Sequence, residues 1–329
     1  MDDRENLSII MIGQNESLTL PEALERCIPL SNHFNLHIIY VDSDSKDNSV
    51  KLVHNFAVTN RSLRVTILHL TGHLNAAIAR NAGLQYIADD DQWIFFLDAD
   101  VVLDTVFIVN AVASLKTGGN RGTVTGRLKE VLINDPAGNM HERMPSKKYD
   151  DNSIGHHGGN FLTSMNVIRT VGQFDERLAQ HEDFDFCVRA RRKGWTLFFL
   201  DEWLGTHYTI SYNAPNRIWS DLKHGRGLSS GLLVRKYLFS RCVFDALRIT
   251  KGYSVKLGII LMLIGGLFSD ISLLIFFGLV LFALILVRRN KGAEESTWSK
   301  ALSFLCGINM FLGFFYFPSQ HSYHLKRLN

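Results

Sequence analysis

The stretch Trp93–Asp100 reads WIFFLDAD, an apolar run that ends in two aspartates one residue apart. An apolar run this short predicts a buried strand, and three similar runs precede it at Leu7–Ile12, Leu36–Val41 and Val65–Leu70. Longer segments with helical spacing separate the runs. This alternation predicts an α/β fold whose central sheet is mostly parallel.

Helix signals support the alternation on both sides of the central run. Pro21 suits the first turn of a helix over Pro21–Cys27, and the segment Leu74–Ile87 repeats apolar residues along one face. Asp104, which follows the aspartate pair, has the character of an ordinary helix cap. We therefore expect helices between the strands and a further helix after Asp104.

Beyond Lys129 the regular pattern is interrupted. Residues 134–160 are rich in Gly, Pro, Asn and charged residues, which predicts a long surface loop that helps to shape a binding pocket. Regular elements return as a strand over Phe161–Met165, a helix over Glu182–Lys193 and a strand over Thr196–Leu200.

The composition argues against several classes of protein. With 46% hydrophobic and 20% charged residues among 329, the chain can bury a large core and is not a disordered protein. A formal net charge of +3 without a basic stripe argues against nucleic-acid binding. Four separated cysteines without a CxxC pair favour neither a zinc site nor a disulfide framework. The acidic N-terminal sequence is unlike a secretory signal, so we expect this region to stay in the cytoplasm.

Two long apolar runs, Leu257–Val287 and Ala301–Phe317, predict a membrane region near the C-terminus. The first run exceeds the roughly 20 residues that span a bilayer, and basic residues flank it on both sides, so a hairpin is favoured. The alternative is a buried helical pair of a soluble protein. Residues 211–256 mix basic and apolar side chains and predict amphipathic interfacial helices, and residues 257–329 are assigned to membrane-embedded helices.

Asp98 and Asp100 have the chemistry of a phosphate-bridging metal site. Ligands of open α/β sheets bind beyond the carboxyl ends of strands, which is where both residues lie. Side chains at i and i+2 of an extended segment point the same way, and Mg²⁺ or Mn²⁺ prefers oxygen ligands such as carboxylates. The alternative is a chance occurrence in a turn or cap.

Three further polar segments supply candidate site residues. Asp42 and Asp44 follow the second strand and are suited to bind a base and a ribose, with an Asx-rich turn as the alternative. Arg80, in a predicted helix, is suited to pair with a phosphate or to anchor an acidic loop. Glu182 and Asp183 begin a helix that ends in basic residues, an asymmetry that complementarity to the helix dipole alone explains.

In this order and spacing, the four elements resemble glycosyltransferase family 2, whose nucleotide-sugar-binding fold is called GT-A. The resemblance covers about residues 6 to 210. The sequence Ser8–Glu16 is similar to the family's opening strand and Asn-Glu pair, although Gly13-Gln14 replaces the common Pro-Ala-Tyr or Pro-Thr-Tyr. The resemblance implies a catalytic domain over residues 1–210, with a nucleotide-binding half at 1–100 and an acceptor-binding half at 101–210.

The resemblance also implies roles for individual residues. Asp183 is the catalytic base, and Asp100 and His207 hold Mg²⁺ or Mn²⁺, with a structural histidine as the alternative for His207. The implied acceptor-binding residues are Glu182, Gly159 and Asn160. The implied donor-binding residues are Gly13, Asn15, Glu16, Asp42, Asp44, Arg80 and Asp98.

These roles imply an inverting enzyme that moves one sugar from a nucleotide-diphosphate sugar, for which we expect a UDP-sugar. The Gln-x-x-Arg-Trp sequence of the family's processive synthases is missing, which favours single transfer. The segment His224–Gly227 and the apolar region after it are similar to bacterial exopolysaccharide transferases. That similarity implies a polyprenyl diphosphate-linked saccharide as acceptor, at the inner membrane with the catalytic domain on the cytoplasmic side.

Three other functions compete with this interpretation. Transfer to a polyprenyl phosphate is the alternative within the same class, and a non-catalytic nucleotide-sugar-binding membrane scaffold is the alternative outside it. A dinucleotide-dependent enzyme is the third, but the first strand is followed by Gly13–Glu16 rather than a GxGxxG sequence, so we set it aside.

Overall fold

The computed structural model describes residues 4–88, 90–133, 140–143, 154–210, 217, 219–221, 226–250, 312–318 and 322–329. The chain divides into two compact units, one of Met1–Ile210 with Gln320–Asn329 and the other of Ser211–Ser319. The first unit is an α/β structure around one mixed sheet, so the predicted fold class holds for it.

The N-terminal half of the first unit alternates strands and helices as the sequence predicts. Each of the four predicted apolar runs forms a strand, and both predicted helices are present with slightly different bounds. The elements are β1 (Glu5–Gly13), α1 (Leu20–Glu25), a 3₁₀ helix (Ile28–Asn32), β2 (Phe34–Ser43), α2 (Ser49–Thr59), β3 (Arg64–Gly72), α3 (Ala76–Leu84) and β4 (Trp93–Asp98).

The second half contains shorter strands and the helices that carry the remaining acids. Its last strand runs well past the predicted Thr196–Leu200, and β7 lies within the predicted loop over residues 134–160, the rest of which is described only from residue 154. The elements are β5 (Val101–Leu103), α4 (Thr105–Lys116), β6 (Arg121–Leu132), β7 (Met140–Arg143), β8 (Phe161–Ser164), α5 (Met165–Val171), α6 (Glu182–Arg192) and β9 (Thr196–Thr209).

The sheet is parallel from β1 to β4 and mixed beyond these strands. With a C-terminal strand β10 (Tyr323–Arg327), the order is β10-β3-β2-β1-β4-β8-β6-β9-β5, and β7 pairs with β6. Strands β1 to β4 pair in parallel, whereas β8 is antiparallel to both β4 and β6. The carboxyl ends of β1 to β4 therefore meet at one edge.

Local sequence fixes where two of the helices begin. The Asn75 side chain accepts a hydrogen bond from the backbone N–H of Ile78 at 2.9 Å, which caps the start of α3. Asp104 caps α4 in the same way, as predicted, by accepting from the backbone N–H of Val106 at 3.0 Å. Within α3, a Cβ atom on Gly83 would overlap Ile10, so a glycine allows the helix to pack closely on β1.

Apolar side chains cover both faces of the sheet. On one face, Ile9, Tyr40 and Phe95 belong to a buried cluster that also contains residues of α1, α2 and α4. On the other face, Ile10 and Phe96 pack with residues of α3, α5 and α6. Both faces of a parallel sheet are normally covered in this way, which explains why its strands read as continuous apolar runs.

The C-terminal segment corrects one prediction. The assignment of residues 257–329 to membrane-embedded helices is wrong for Tyr323–Arg327, which forms β10 and pairs antiparallel with β3. The Asn329 side chain continues the contact, accepting from the backbone N–H of Ile67 and donating to the Val65 carbonyl, each at 2.8 Å. Pairing with a sheet edge satisfies the backbone groups of β3 that would otherwise face water.

The described part of the second unit includes the helices α7 (Leu228–Lys236) and α8 (Val243–Ile249), in the region predicted to be interfacial. Residues 312–315 are also helical, and the Arg235 side chain donates to the Phe314 carbonyl at 2.7 Å. Within the described part of the chain, no helix has both the length and the apolar character needed to cross a bilayer. The predicted membrane run Leu257–Val287, and Ala301–Phe317 up to residue 311, lie outside the described residues.

Candidate functional site

Polar residues from three parallel strands lie together at the carboxyl edge of the sheet. Gly13, which ends β1, is paired in register with Asp42 of β2, and Ile12 is paired with Asp98 of β4. Asp42 is paired in turn with His69 of β3. Ligands of open α/β sheets bind at this edge. The fold thus brings together predicted donor-side residues that lie far apart in the sequence.

Asp98 is held in a fixed orientation by two side chains. Its Oδ1 atom accepts a hydrogen bond from Arg80 Nη2 at 2.9 Å, and its Oδ2 atom accepts from Asn160 Nδ2 at 3.0 Å. Asn160 Oδ1 also accepts from the backbone N–H of Asp98 at 2.7 Å. Asn160 therefore orients a donor-side acid here, and its predicted contact with the acceptor stays a prediction.

Arg80 links the carboxyl edge of the sheet to helix α6. The guanidinium is buried, with a side-chain exposure of 3%, and its Nη1 atom donates to Glu182 Oε1 at 2.5 Å while Nη2 reaches Asp98. A buried guanidinium needs such partners, because an unpaired buried charge is costly. Burial, together with the adjacent Asp183, raises the pKa of Glu182, and the Arg80 charge opposes that rise. Arg80 thus anchors an acidic segment, one of the two roles predicted for it.

Gly159 provides the space in which this ion pair forms. A Cβ atom at this position would overlap the Arg80 guanidinium and would lie 3.0 Å from Asp98 Oδ2. Any side chain would therefore displace the pair, which explains why glycine fits here. Gly159 and Asn160, both predicted to bind the acceptor, lie beside Asp98, a predicted donor-binding residue.

Packing of aromatic rings places helix α6 at this edge. Phe186 of α6 stacks on Phe174 at 4.9 Å between ring centroids, and Phe174 contacts Phe96 of β4 edge-on at 5.1 Å. Phe161 of β8 lies 4.9 Å from Phe96. Burying each ring contributes about 1.5–3 kcal/mol. The apolar cluster therefore fixes the start of α6, with Glu182 next to Arg80.

Asp183 lies in the first turn of α6, next to Glu182. Its Oδ1 atom accepts from the backbone N–H of Phe184 at 2.7 Å. His181 precedes the helix in a left-handed conformation, with φ at +68°, and burial lowers its pKa to about 4. His181 is therefore neutral at neutral pH.

Asp100 and His207, the two predicted metal ligands, lie in contact. His207 Nε2 is 3.1 Å from Asp100 Oδ2, and its Nδ1 atom is 3.3 Å from Glu130 Oε1. Burial alone lowers the pKa of His207, but the hydrogen bonds with Asp100 and Glu130 outweigh burial and raise the pKa to about 9. In this structure the ring is therefore protonated at neutral pH and balances the acids.

Glu16 adds a further carboxyl group to the same region. Burial, together with the nearby Asp100 and Asp98 carboxylates, raises its pKa to about 7. Its backbone N–H donates to Ser49 Oγ at 2.9 Å. Glu16 thus keeps its proton near neutral pH, in part because other acids lie close to it. Such an acid indicates a site for a cation or for a cationic group of a ligand.

The acidic cluster fits a divalent cation in one respect and not in another. Asp100 Oδ1 is buried and has no hydrogen-bond partner among the described residues, so it is available as an oxygen ligand. Those residues contain no group of three or more His, Cys, Asp or Glu side chains arranged to hold a metal ion. Mg²⁺ commonly takes only one or two protein carboxylates and completes its shell with phosphate oxygens and water. Asp100 and His207 would hold such a cation once their mutual bond opens and His207 gives up a proton.

Asp42, at the end of β2, is not exposed as a residue that binds a base directly would be. The Asp42 carboxylate is fully buried, and its Oδ2 atom is 2.8 Å from His69 Nδ1 and accepts from the backbone N–H of Ser45 at 3.0 Å. Asp44 is partly exposed and pairs with Lys46 at 2.8 Å. Asn15, whose φ is +60°, accepts from the backbone N–H of Lys46 at 2.7 Å, which ties the β1 loop to the β2 loop.

Two residues of this edge were missed by the sequence reasoning. His69 carries a signal that could have found it, because it lies toward the end of a predicted strand, as Asp42 does. Glu130 carries no comparable signal, since it lies near the end of the long strand β6 and meets His207 only through the parallel pairing of β6 with β9.

The family comparison agrees with this geometry. The model of the family described as Glycosyl transferase family 2 matches residues 8–171. The amylovoran biosynthesis glycosyltransferase AmsB of Erwinia amylovora is 24% identical over 219 residues, which cover 63% of this chain and 70% of that protein.

Solved structures show the same fold at low sequence identity. The mannosyltransferase PcManGT from Pyrobaculum calidifontis, solved in complex with GDP-Man and Mn²⁺, superposes with a TM-score of 0.55 at 15% identity, covering 96% of this chain and 88% of that one. Residues 1–349 of S. aureus TarS give a TM-score of 0.52 at 14% identity, covering 76% of this chain and 74% of that one.

Proposed function

Because the chain belongs to glycosyl transferase family 2, we propose that it is an inverting, metal-dependent enzyme that transfers one sugar from a nucleotide-diphosphate sugar to a polyprenyl diphosphate-linked saccharide. The observation that carries this proposal is the buried Arg80 guanidinium, which binds Asp98 of the donor edge and Glu182 of α6 at once. That link places Asp183, the residue after Glu182, beside the donor edge. A base next to a donor site is what direct transfer to a hydroxyl requires.

Asp183 serves as the general base. It takes the proton of the acceptor hydroxyl while that oxygen forms a bond to the anomeric carbon, and the bond from this carbon to the diphosphate oxygen breaks. The nucleoside diphosphate leaves with the bonding electrons, and attack from the opposite face inverts the anomeric centre. General-base assistance contributes about 10²- to 10⁴-fold in rate.

On the donor side, Asp100 and His207 would hold Mg²⁺ or Mn²⁺, while Arg80 keeps Asp98 oriented at the end of β4. When bound, the cation stabilises negative charge on the diphosphate as it departs. Support for a cation comes from Asp100 Oδ1, which has no hydrogen-bond partner among the described residues, and from the Mn²⁺ in the related mannosyltransferase structure. That structure also holds GDP-Man, which supports a nucleotide-sugar donor without deciding the base.

The acceptor class and the location rest on the relative and on the second unit. The E. amylovora relative acts in the biosynthesis of amylovoran, which supports a saccharide acceptor in exopolysaccharide synthesis. In the second unit, Trp219, Phe239 and Phe244 are exposed close in sequence to the basic Arg235 and Lys236. Exposed aromatic and basic side chains suit the headgroup region of a membrane. We therefore place the enzyme at the inner membrane, with the catalytic unit on the cytoplasmic side.

The decisive experiment separates donor binding from transfer. We expect Asp183→Asn to lower transfer by at least 10²-fold while Mn²⁺-dependent binding of the donor is retained, and Asp100→Ala to weaken that binding. Asp201→Asn serves as the matched control, since Asp201 is a surface acid paired with Arg127. Normal turnover by Asp183→Asn would show that this carboxylate is not the base.

The chemistry of the product distinguishes the acceptors. A radiolabelled sugar attached to a polyprenyl diphosphate-linked saccharide lengthens that saccharide, whereas transfer to a polyprenyl phosphate gives a single acid-labile sugar on a lipid phosphate. Donor binding without any product from either lipid would instead support a non-catalytic scaffold.

A further inference from the structure

Asp42, near the end of β2, does not itself face solvent. Asp42 has no exposed side-chain surface, whereas its hydrogen-bond partner His69 exposes 27% of its side chain. The two residues are in register on adjacent parallel strands and are joined by the 2.8 Å contact between Asp42 Oδ2 and His69 Nδ1. A ligand that arrives at this part of the edge therefore meets the imidazole of His69 before the carboxylate of Asp42.

We infer that His69 contacts the base of the donor nucleotide directly, and that Asp42 is a positioning residue that acts through His69. The inference rests on the proposed function, since it requires a nucleotide to bind at the carboxyl ends of β1, β2 and β4.

The hydrogen bonds around the ring explain how Asp42 positions it. A carboxylate only accepts hydrogen bonds, so Nδ1 of His69 donates to Asp42, which fixes the orientation of the ring. The other nitrogen, Nε2, lies 4.0 Å from Asp44 Oδ1. That distance is too long for a hydrogen bond between them, so both atoms remain able to bond to the polar edge of a base. Bases differ in the donors and acceptors along this edge, so these two atoms discriminate between them.

The strand that carries His69 is held on both sides. β3 pairs with β2 along one edge and with β10 along the other, where His69 is in register with Lys326. Asp44 is held as well, by its 2.8 Å ion pair with Lys46. A contact group whose backbone and ring are both fixed before binding loses little entropy on binding, which favours selectivity.

Calorimetric titration of the full-length protein tests the inference. UDP, GDP, ADP and CDP are each titrated at saturating Mn²⁺, with inorganic pyrophosphate as a probe that lacks a base. We expect His69→Ala to weaken binding of the preferred diphosphate by about three- to tenfold, the loss of one hydrogen bond, and to leave pyrophosphate affinity unchanged. His54→Ala is the matched control, because His54 is an exposed histidine on α2.

A double-mutant cycle tests the role of Asp42. If Asp42 acts through His69, Asp42→Asn lowers affinity in the wild type but has little further effect in His69→Ala. A second variant, His69→Asn, keeps a group able to donate to Asp42 and removes the outer nitrogen, so we expect it to bind as weakly as His69→Ala while unfolding at the wild-type temperature.

Two results overturn the inference in different ways. Wild-type affinity for the preferred diphosphate in His69→Asn, or additive losses from Asp42→Asn and His69→Ala, would show that His69 is not the contact while leaving the proposed function intact. A wild-type protein that binds none of the four diphosphates would overturn both the inference and the proposed function.

Discussion

We expect loss of the buried Arg80 guanidinium to lower the stability of the first unit more than any other single substitution discussed below. Arg80→Met keeps a long unbranched side chain but leaves Asp98 and Glu182 without their counter-charge. Breaking a buried pair in this way costs about 3–5 kcal/mol. Asp98 is 32% exposed and regains water, whereas Glu182 is only 9% exposed, so most of the cost falls on Glu182 and we expect about 3 kcal/mol.

Thermal unfolding of the purified full-length protein, followed by near-UV circular dichroism, measures this effect. For a unit of this size, about 3 kcal/mol corresponds to a fall in Tm of about 6–12 °C. Lowering the pH should reduce the deficit, because burial and Asp183 raise the pKa of Glu182 and a protonated Glu182 needs no counter-charge. The sign follows from linkage, since an acid whose pKa is raised by folding destabilises the folded state as pH rises.

A second substitution provides the control. Arg80→Met combined with Glu182→Gln removes the buried charge that the single variant leaves behind, and we expect it to recover at least half of the lost stability. An Arg80→Met protein within about 2 °C of the wild type, below the shift that one kcal/mol produces, would refute the reasoning. A double variant that is no more stable than Arg80→Met would refute it as well.

Three further outcomes are expected. Without added metal, the hydrogen bonds of protonated His207 should stabilise the fold fully below about pH 6.5 and less as pH rises through about 9, because folding raises the pKa of His207 from 6.5 to about 9. A pH series of Tm values should show this decline, and His207→Gln should remove it. Asp104→Ala should cost about 0.5–2 kcal/mol by uncapping α4, measured by urea unfolding, while Asp201→Asn, which caps nothing, should leave stability within error. Deleting residues 322–329 should lower Tm and weaken donor binding, because β10 covers the edge of the strand that carries His69, and unchanged donor affinity would show that β10 has no influence on the site.

Much of the fold follows from local sequence patterns. The apolar runs that became β1 to β4, the capping residue Asp104 and the acids at the start of α6 all act over a few residues, so periodicity and end signals find them. Strand ends were also informative, because parallel strands bring their carboxyl ends to one edge whatever the details of packing. For this reason the sequence predicted that Asp98 and Asp42 lie in the same site.

The partners of these residues depended on the tertiary structure. Arg80 meets Glu182 across 102 residues of sequence, and His207 meets Glu130 across 77. The exposure of the residues at the end of β2 was equally hidden, because Asp42 is buried in contact with His69, which the next strand brings into register. Such contacts are set by strand order, register and side-chain packing, which no local pattern records.

The last residues of the chain show the same division. By sequence, residues 257–329 begin with a long apolar run and are assigned as a whole to membrane-embedded helices. The segment Tyr323–Arg327 is too short and too polar to be recognised as a strand. It becomes β10 because β3 offers an unpaired edge, whose backbone donors and acceptors are satisfied by a segment from the other end of the chain. The sequence by itself determined the family, the strands and the position of the acids, since those are properties of short segments. Only the tertiary structure decided which of those acids are paired, buried or open to a ligand, since the free energy of a charge depends on its neighbours in space.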